Sequence, residues 1–134
     1  MNLLGQREPE VYGSQTLDGI IEGLRQSFPE IRIEHYQSNV EGELINELQK
    51  ADSKYDGVII NAAGYTHTSV AIRDAISAIS IAVVEVHMSN IAAREEFRHN
   101  SLLAGVCVAS IAGFGANSYS LAVEGLRTYL QKGR

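Results

Sequence analysis

Two short segments of this chain hold residues whose types and spacing suit proton transfer. Asn61-Ala62-Ala63-Gly64-Tyr65-Thr66-His67-Thr68-Ser69 follows the apolar run Val58-Ile59-Ile60, and Glu85-Val86-His87-Met88-Ser89-Asn90 ends the apolar run that starts at Ile81. Glu85 and His87 stand two apart, so on a strand they share a face, where the carboxylate orients the imidazole and supports its charged form. Such a pair suits general acid work. A lone histidine is more often a surface or capping residue, but His67 and His87 beside Asn61 at one rim point to a site. Metal binding is the competing chemistry, although the two histidines lack a third ligand at a diagnostic spacing. A third segment, Gly5-Gln6-Arg7-Glu8-Pro9-Glu10-Val11-Tyr12-Gly13, reads either as a solvated lid or as the source of a base. Tyrosine ionises near pH ~10, and bringing it to about 7 takes roughly 4 kcal/mol at ~1.36 kcal/mol per unit. Neighbouring guanidinium groups supply that kind of stabilisation. Arg7 is one candidate, and Arg94-Glu95-Glu96-Phe97-Arg98 holds two more, on one face if the segment is helical and otherwise paired to Glu95 and Glu96.

The elements that would position these residues follow from hydrophobic periodicity. Leu17, Ile20, Ile21, Leu24 and Phe28 mark a helix over Leu17 to Ser27, with Ser14 or Thr16 as its N-cap. After Pro29, Ile31, Ile33 and His35 alternate with Arg32, Glu34 and Tyr36 as in an edge strand. Val40, Leu44, Leu48 and Ala51 restore helical spacing, and Val58-Ile59-Ile60 predicts a fully buried strand ending at Asn61. Ser69 caps a helix carrying Val70, Ala75, Ile76 and Ile79, which leads to a central strand over Ile81 to Val86. A last strand is expected over Val106 to Ile111, then a helix with Ala122, Val123, Leu126 and Leu130 inward. Strands apolar on both faces and separated by amphipathic helices imply a parallel sheet covered by helices on both sides. Ligands of such sheets bind beyond the strands' carboxyl ends, where both histidine segments fall.

Length and composition narrow the classes. A chain of 134 residues, 45% hydrophobic and 20% charged, is expected to form one compact domain over residues 1–134. Eleven Lys and Arg against sixteen Asp and Glu give a net charge of -5, with no basic run, which argues against a nucleic-acid partner. No stretch approaches the ~20 apolar residues of a membrane span, and the first residues lack a signal peptide's apolar core, so the expectation is a soluble, cytoplasmic protein. The only cysteine, Cys107, lies in Val106-Cys107-Val108 and reads as a buried small hydrophobe. His35 and His99 read as structural or exposed, and Gly113-Phe114-Gly115 as close strand-to-helix packing rather than a phosphate cradle.

Together the segments resemble the type II 3-dehydroquinate dehydratase family over nearly the whole chain. The matching pieces are Leu4 to Pro9 with Tyr12-Gly13, Asn61 to Ser69 with Arg73-Asp74-Ala75, Glu85 to Asn90, and Arg94 to Arg98. The resemblance implies a flavodoxin-like three-layer α/β sandwich, and dehydration of 3-dehydroquinate to 3-dehydroshikimate in the shikimate pathway without metal or organic cofactor. Carried over residue by residue, it makes Tyr12 the base, with Arg7 and Arg94 favouring its tyrosinate form, and His87, oriented by Glu85, the acid. It sets the substrate carboxylate against Ser89 and the backbone N–H groups around Met88, and the ring hydroxyls against Asn61, His67 and Arg98. Asp74 would reach a neighbouring subunit's site, because family members form trimers assembled into dodecamers.

The family pattern opens with a short apolar strand and Gly-Pro-Asn-Leu-Asn, of which the sequence keeps at most Asn2. The expectation is therefore a sheet lacking its usual first strand, with a gap between the strands at Ile31 and Val58. This departure leaves a second function open: a catalytically impaired, oligomeric relative that binds a small hydroxy acid. A flavin-binding protein of the same fold has only the analogy of fold behind it.

Overall fold

The computed structural model describes residues 16–132. Helix α1 (Leu17–Ser27) starts where Thr16 accepts a hydrogen bond from the Gly19 N–H, and its Ile20, Ile21 and Leu24 are buried. Helix α2 (Glu41–Ala51) leads to strand β1 (Gly57–Ile60), and helix α3 (Val70–Ala78) to strand β2 (Ala82–His87). Strand β3 (Ala109–Ala112) and helix α4 (Asn117–Gln131) close the described part. Ser69 caps α3 by accepting from the Ile72 N–H at 2.9 Å, and its own hydroxyl donates to Glu41 of α2.

The described sheet has the order β1-β2-β3, parallel throughout, as the sequence predicts for strands joined through helices. One face carries Val58, Ile60 and Val83, which pack with Leu48 of α2 and Ile72, Ala75 and Ile76 of α3. The other carries Ile59, Val84, Val86 and Ile111 beneath Ala122 and Leu126 of α4, and α1 joins α4 there through Val123. This is the flavodoxin-like three-layer arrangement. No helix among the described residues is long and apolar enough to cross a membrane.

Four expectations are corrected. Residues 31–36 form no strand: a strand needs a neighbour's backbone groups, and no described segment pairs with them. Ile31 and Ile33 nevertheless pack on the α1 cluster, and Arg25 donates to the Ile33 carbonyl at 3.0 Å. Strand β1 is half-buried rather than fully buried, because it is an edge of the described sheet. The last strand starts at Ala109, not Val106, since a 3-10 turn over Ala104–Val106 still occupies the chain there, and β3 is exposed at its start. Cys107 is half-buried against the α2/α3 core, and burial, followed by the Glu85 charge, pushes its thiol up to about 12.

Candidate functional site

Because side chains alternate along a strand, Val83, Glu85 and His87 share the α2/α3 face of β2. Leu103, Val106 and Cys107 pack on the same face, and Ser101 reaches Glu85 there. Glu85 and His87 are both buried, and His87 Nε2 lies 2.9 Å from Glu85 Oε2. Glu85 also accepts from the Ser101 hydroxyl at 2.5 Å and from the Ser110 hydroxyl at 2.7 Å. The parallel register explains Ser110, which lies directly beside Glu85 on β3. Burial pushes the Glu85 carboxyl up, but the hydrogen bonds from His87, Ser101 and Ser110, with the His87 charge, outweigh it and hold the group below its ordinary value.

The loop after β1 supplies the second wall. A 3-10 turn over Ala63–His67 brings the His67 ring to stack on His87 with centroids 6.4 Å apart, which places both histidines at one rim as the sequence implies. His67 Nδ1 is fixed by the Asn100 carbonyl at 2.8 Å, and Phe97 meets its ring edge-on. Asn61 is held from both ends: its Oδ1 accepts from the Ala63 N–H at 3.1 Å, and its Nδ2 donates to the Tyr119 hydroxyl at 2.8 Å. Ala63 has φ +51°, an uncommon backbone conformation for a residue with a side chain, at the lip of the cleft.

Residues 91–98 form the third wall, and of the two arrangements left open by the sequence, a helical face or pairing of the arginines to neighbouring glutamates, the structure has pairing to Glu95. Two 3-10 turns, Ile91–Ala93 and Glu96–Arg98, are separated by extended backbone at Arg94 and Glu95. Asn90 starts the first turn by accepting from the Ala92 N–H. Both arginines still line the cleft with Asn61, His67, His87 and Ser89. Arg98 Nε donates to Glu95 at 3.0 Å, Arg94 lies 3.8 Å from the same carboxylate, and Arg94 reaches the Ser89 hydroxyl at 3.5 Å. Glu95 therefore serves both arginines.

The remaining predicted residues divide. Met88 meets the cleft, but its side chain is buried in the α1/α4 cluster, and its carbonyl accepts from the Gly115 N–H. Gly113 at φ +100° and Gly115 at φ +60° let the chain turn over the end of β2, consistent with close packing there. Asp74 is exposed on α3 and is not among the residues lining the cleft. His35 is exposed, and His99 Nε2 donates to the Arg94 carbonyl at 3.1 Å. Arg7 and Tyr12 lie outside the described residues. Sequence reasoning missed Ser101, Ser110 and Tyr119. Ser101 had a weak signal, a serine opening a turn, whereas Ser110 and Tyr119 are brought in by register and by α4 packing. Among the described residues, no three His, Cys, Asp or Glu side chains converge as metal ligands.

Fold and site together define an α/β protein with a buried carboxylate–imidazole pair at the carboxyl end of a parallel sheet, in a cleft walled by two arginines. The family profile described as dehydroquinase class II matches residues 1–127. A 3-dehydroquinate dehydratase of Acaryochloris marina is 53% identical over 133 residues, covering 98% of this chain and 89% of the relative. One from an Exiguobacterium species is 56% identical over 127 residues, covering 94% and 87%. The crystal structure of type II dehydroquinase from Butyrivibrio crossotus superposes with TM-score 0.91 at 41% identity, covering 94% of this chain and 90% of that one. The chain belongs to the class II dehydroquinase family.

Proposed function

We propose that this chain dehydrates 3-dehydroquinate to 3-dehydroshikimate, the reaction named for its relatives. The observation that carries the reading is the buried Glu85–His87 pair at the cleft, a positioned acid within reach of a small ligand held by Arg98, His67 and Asn61. In this reading Tyr12, as tyrosinate favoured by Arg7 and Arg94, removes the C2 proton beside the C3 ketone. The electron pair moves onto the ketone oxygen to give an enolate. As the enolate collapses, a C1=C2 double bond forms and the C1–O bond breaks, its electron pair leaving with oxygen. His87 gives that oxygen a proton, so the leaving group is water. Ser89 and the backbone around Met88 hold the substrate carboxylate. Asp74, remote from its own chain's cleft, serves a neighbouring subunit in a trimer-based dodecamer.

The two proton transfers in this scheme are assigned to side chains, and no lysine stands among the described residues lining the cleft to form a Schiff base. The test is growth of the conjugated enone absorbance on adding 3-dehydroquinate to purified protein, with chelator and with borohydride. Turnover surviving both treatments is expected. Loss of activity to borohydride in the presence of substrate would overturn the mechanism, and substrate binding without turnover would favour the binding-protein reading.

A further inference from the structure

The hydrogen-bond pattern around Glu85 favours one arrangement of its protons. A serine hydroxyl has one proton to donate and two lone pairs that accept. Ser101 Oγ accepts from the Leu103 N–H at 3.1 Å and from the Ala104 N–H at 3.0 Å, which occupies both lone pairs. Its proton is left for Glu85 Oε2, 2.5 Å away. The same oxygen lies 2.9 Å from His87 Nε2, while Oε1 faces the Ser110 hydroxyl at 2.7 Å. A carboxylate accepts all three, and these donors hold Glu85 below its ordinary value, in the ionised form. Nε2 of His87 must then be the donor to Glu85, so its proton stays on that side of the ring and Nδ1 is the nitrogen left for a ligand.

We propose that the Ser101 and Ser110 hydroxyls are positioning residues for the reaction: by saturating Glu85 with donors they keep it an acceptor, lock the Nε2–H of His87 onto it, and make Nδ1 the atom that delivers the proton. The inference rests on the proposed dehydration for its catalytic consequence, though the clamp itself is a property of the folded chain. Glu85 orients and does not relay: the proton given to the leaving oxygen comes from Nδ1, and the ring returns to its neutral Nε2–H form. Among the described residues, the other ionisable groups near the pair are Cys107, whose thiol burial and the Glu85 charge push up to about 12, His67, stacked on His87, and Arg94 and Arg98, which line the cleft with it. Residues 100–102 also tie the site together. The Leu102 N–H donates to the Thr66 carbonyl at 2.8 Å, Arg73 of α3 donates to the Leu102 carbonyl at 3.0 Å, and the Asn100 carbonyl meets His67 Nδ1 at 2.8 Å, so the residues on both sides of Ser101 are held.

The test compares Ser101→Ala, Ser101→Thr and Ser110→Ala with the parent by two readouts. The first is the NMR titration of the Glu85 side-chain carboxyl carbon, which needs no substrate. Loss of one donor to a charged group should raise its midpoint in Ser101→Ala by about one pH unit, with Ser101→Thr returning it close to the parent. The second is the pH profile of kcat. Since the working form of Glu85 is ionised, its acid limb should move up by the same interval, with kcat down about tenfold and KM within about twofold. Ser110→Ala removes a donor without disturbing the Ser101 turn, should shift both readouts in the same direction, and decides the matter if Ser101→Ala does not fold. An unchanged carboxyl midpoint in the folded variants overturns the clamp. A shifted midpoint with an unmoved kcat profile overturns its role in the reaction. A shifted midpoint in the variants, with a parent that does not turn over 3-dehydroquinate, overturns the proposed function and leaves the clamp standing.

Discussion

Replacing Glu85 with glutamine keeps the shape of the group that orients His87 and removes its charge. In the parent, both carboxylate oxygens are acceptors, for His87 and Ser101 on one side and Ser110 on the other. Glutamine offers one acceptor oxygen and one NH2 donor. With the oxygen turned to His87 and Ser101, the NH2 meets Ser110, whose hydroxyl is free to rotate and accept. The variant should therefore fold, and the loss is mainly electrostatic. Exchanging a charged for a neutral acceptor weakens a hydrogen bond by about 1 to 2 kcal/mol, the lower bound on the effect. A unit charge pair with centres about 4 Å apart interacts by about 4 kcal/mol at an effective dielectric of about 20, the upper bound on what Glu85 lends a positive His87. At about 1.36 kcal/mol per decade, kcat should fall between about tenfold and 10³-fold. KM should change little, because Glu85 is 1% exposed and reaches a ligand only through His87. Steady-state enone formation measures both constants. The folded Glu85 is held below its ordinary value, so its contribution to stability is complete above the unfolded-chain value of about 4.3 and fades as pH falls through the folded one. Urea unfolding of Glu85→Gln at neutral and acidic pH should accordingly show a smaller loss of stability on acidification than the parent. A variant with kcat within twofold of the parent would refute the reasoning that the carboxylate prepares His87.

Three further outcomes follow from the same picture. Tyr12→Phe should cut kcat by about 10² to 10⁴, the usual contribution of a positioned acid or base, and normal turnover would make Tyr12 an ordinary loop residue. Asp74→Ala should raise KM while leaving the secondary structure seen by circular dichroism unchanged, and a fully active monomer by light scattering with parallel assay would contradict a role across a subunit boundary. Leu103→Ala, which empties a fully buried position between the Ser101 turn and the α2/α3 core, should cost about 2 to 5 kcal/mol in urea unfolding, and a cost under about 1 kcal/mol would show that the core does not support that turn.

The parts of this molecule legible from sequence are those whose physics is local. Helix α1 shows its full extent through Ile20, Ile21 and Leu24, and Ser69 announces α3, because periodicity and caps are written within a few residues. Glu85 and His87 could be placed on one face because strand alternation is a local rule. What the sequence hides is pairing. The alternation of residues 31–36 is that of a strand, yet alternation does not supply a partner, and among the described residues the segment pairs with none. Ser110 meets Glu85 only through the β2/β3 register, and Tyr119 meets Asn61 across 58 residues of chain. The Arg94 to Arg98 segment carries helix-compatible residues, but Asn90 starts a short turn and the shared Glu95 holds both arginines without a helix. The family was legible because its motifs are runs of residue types, which the resemblance matched where no spacing rule would have joined them.

The central claim is that His87 protonates the leaving oxygen of 3-dehydroquinate in this cleft. Its most direct test is the single-turnover rate of enone formation by the parent and by His87→Ala, with both proteins shown to be folded and saturated with substrate. The account predicts that the parent forms the enone and that the variant, still binding 3-dehydroquinate, does so about 10² to 10⁴ times more slowly. A His87→Ala variant as fast as the parent, or a folded and saturated parent that forms no enone, would contradict it.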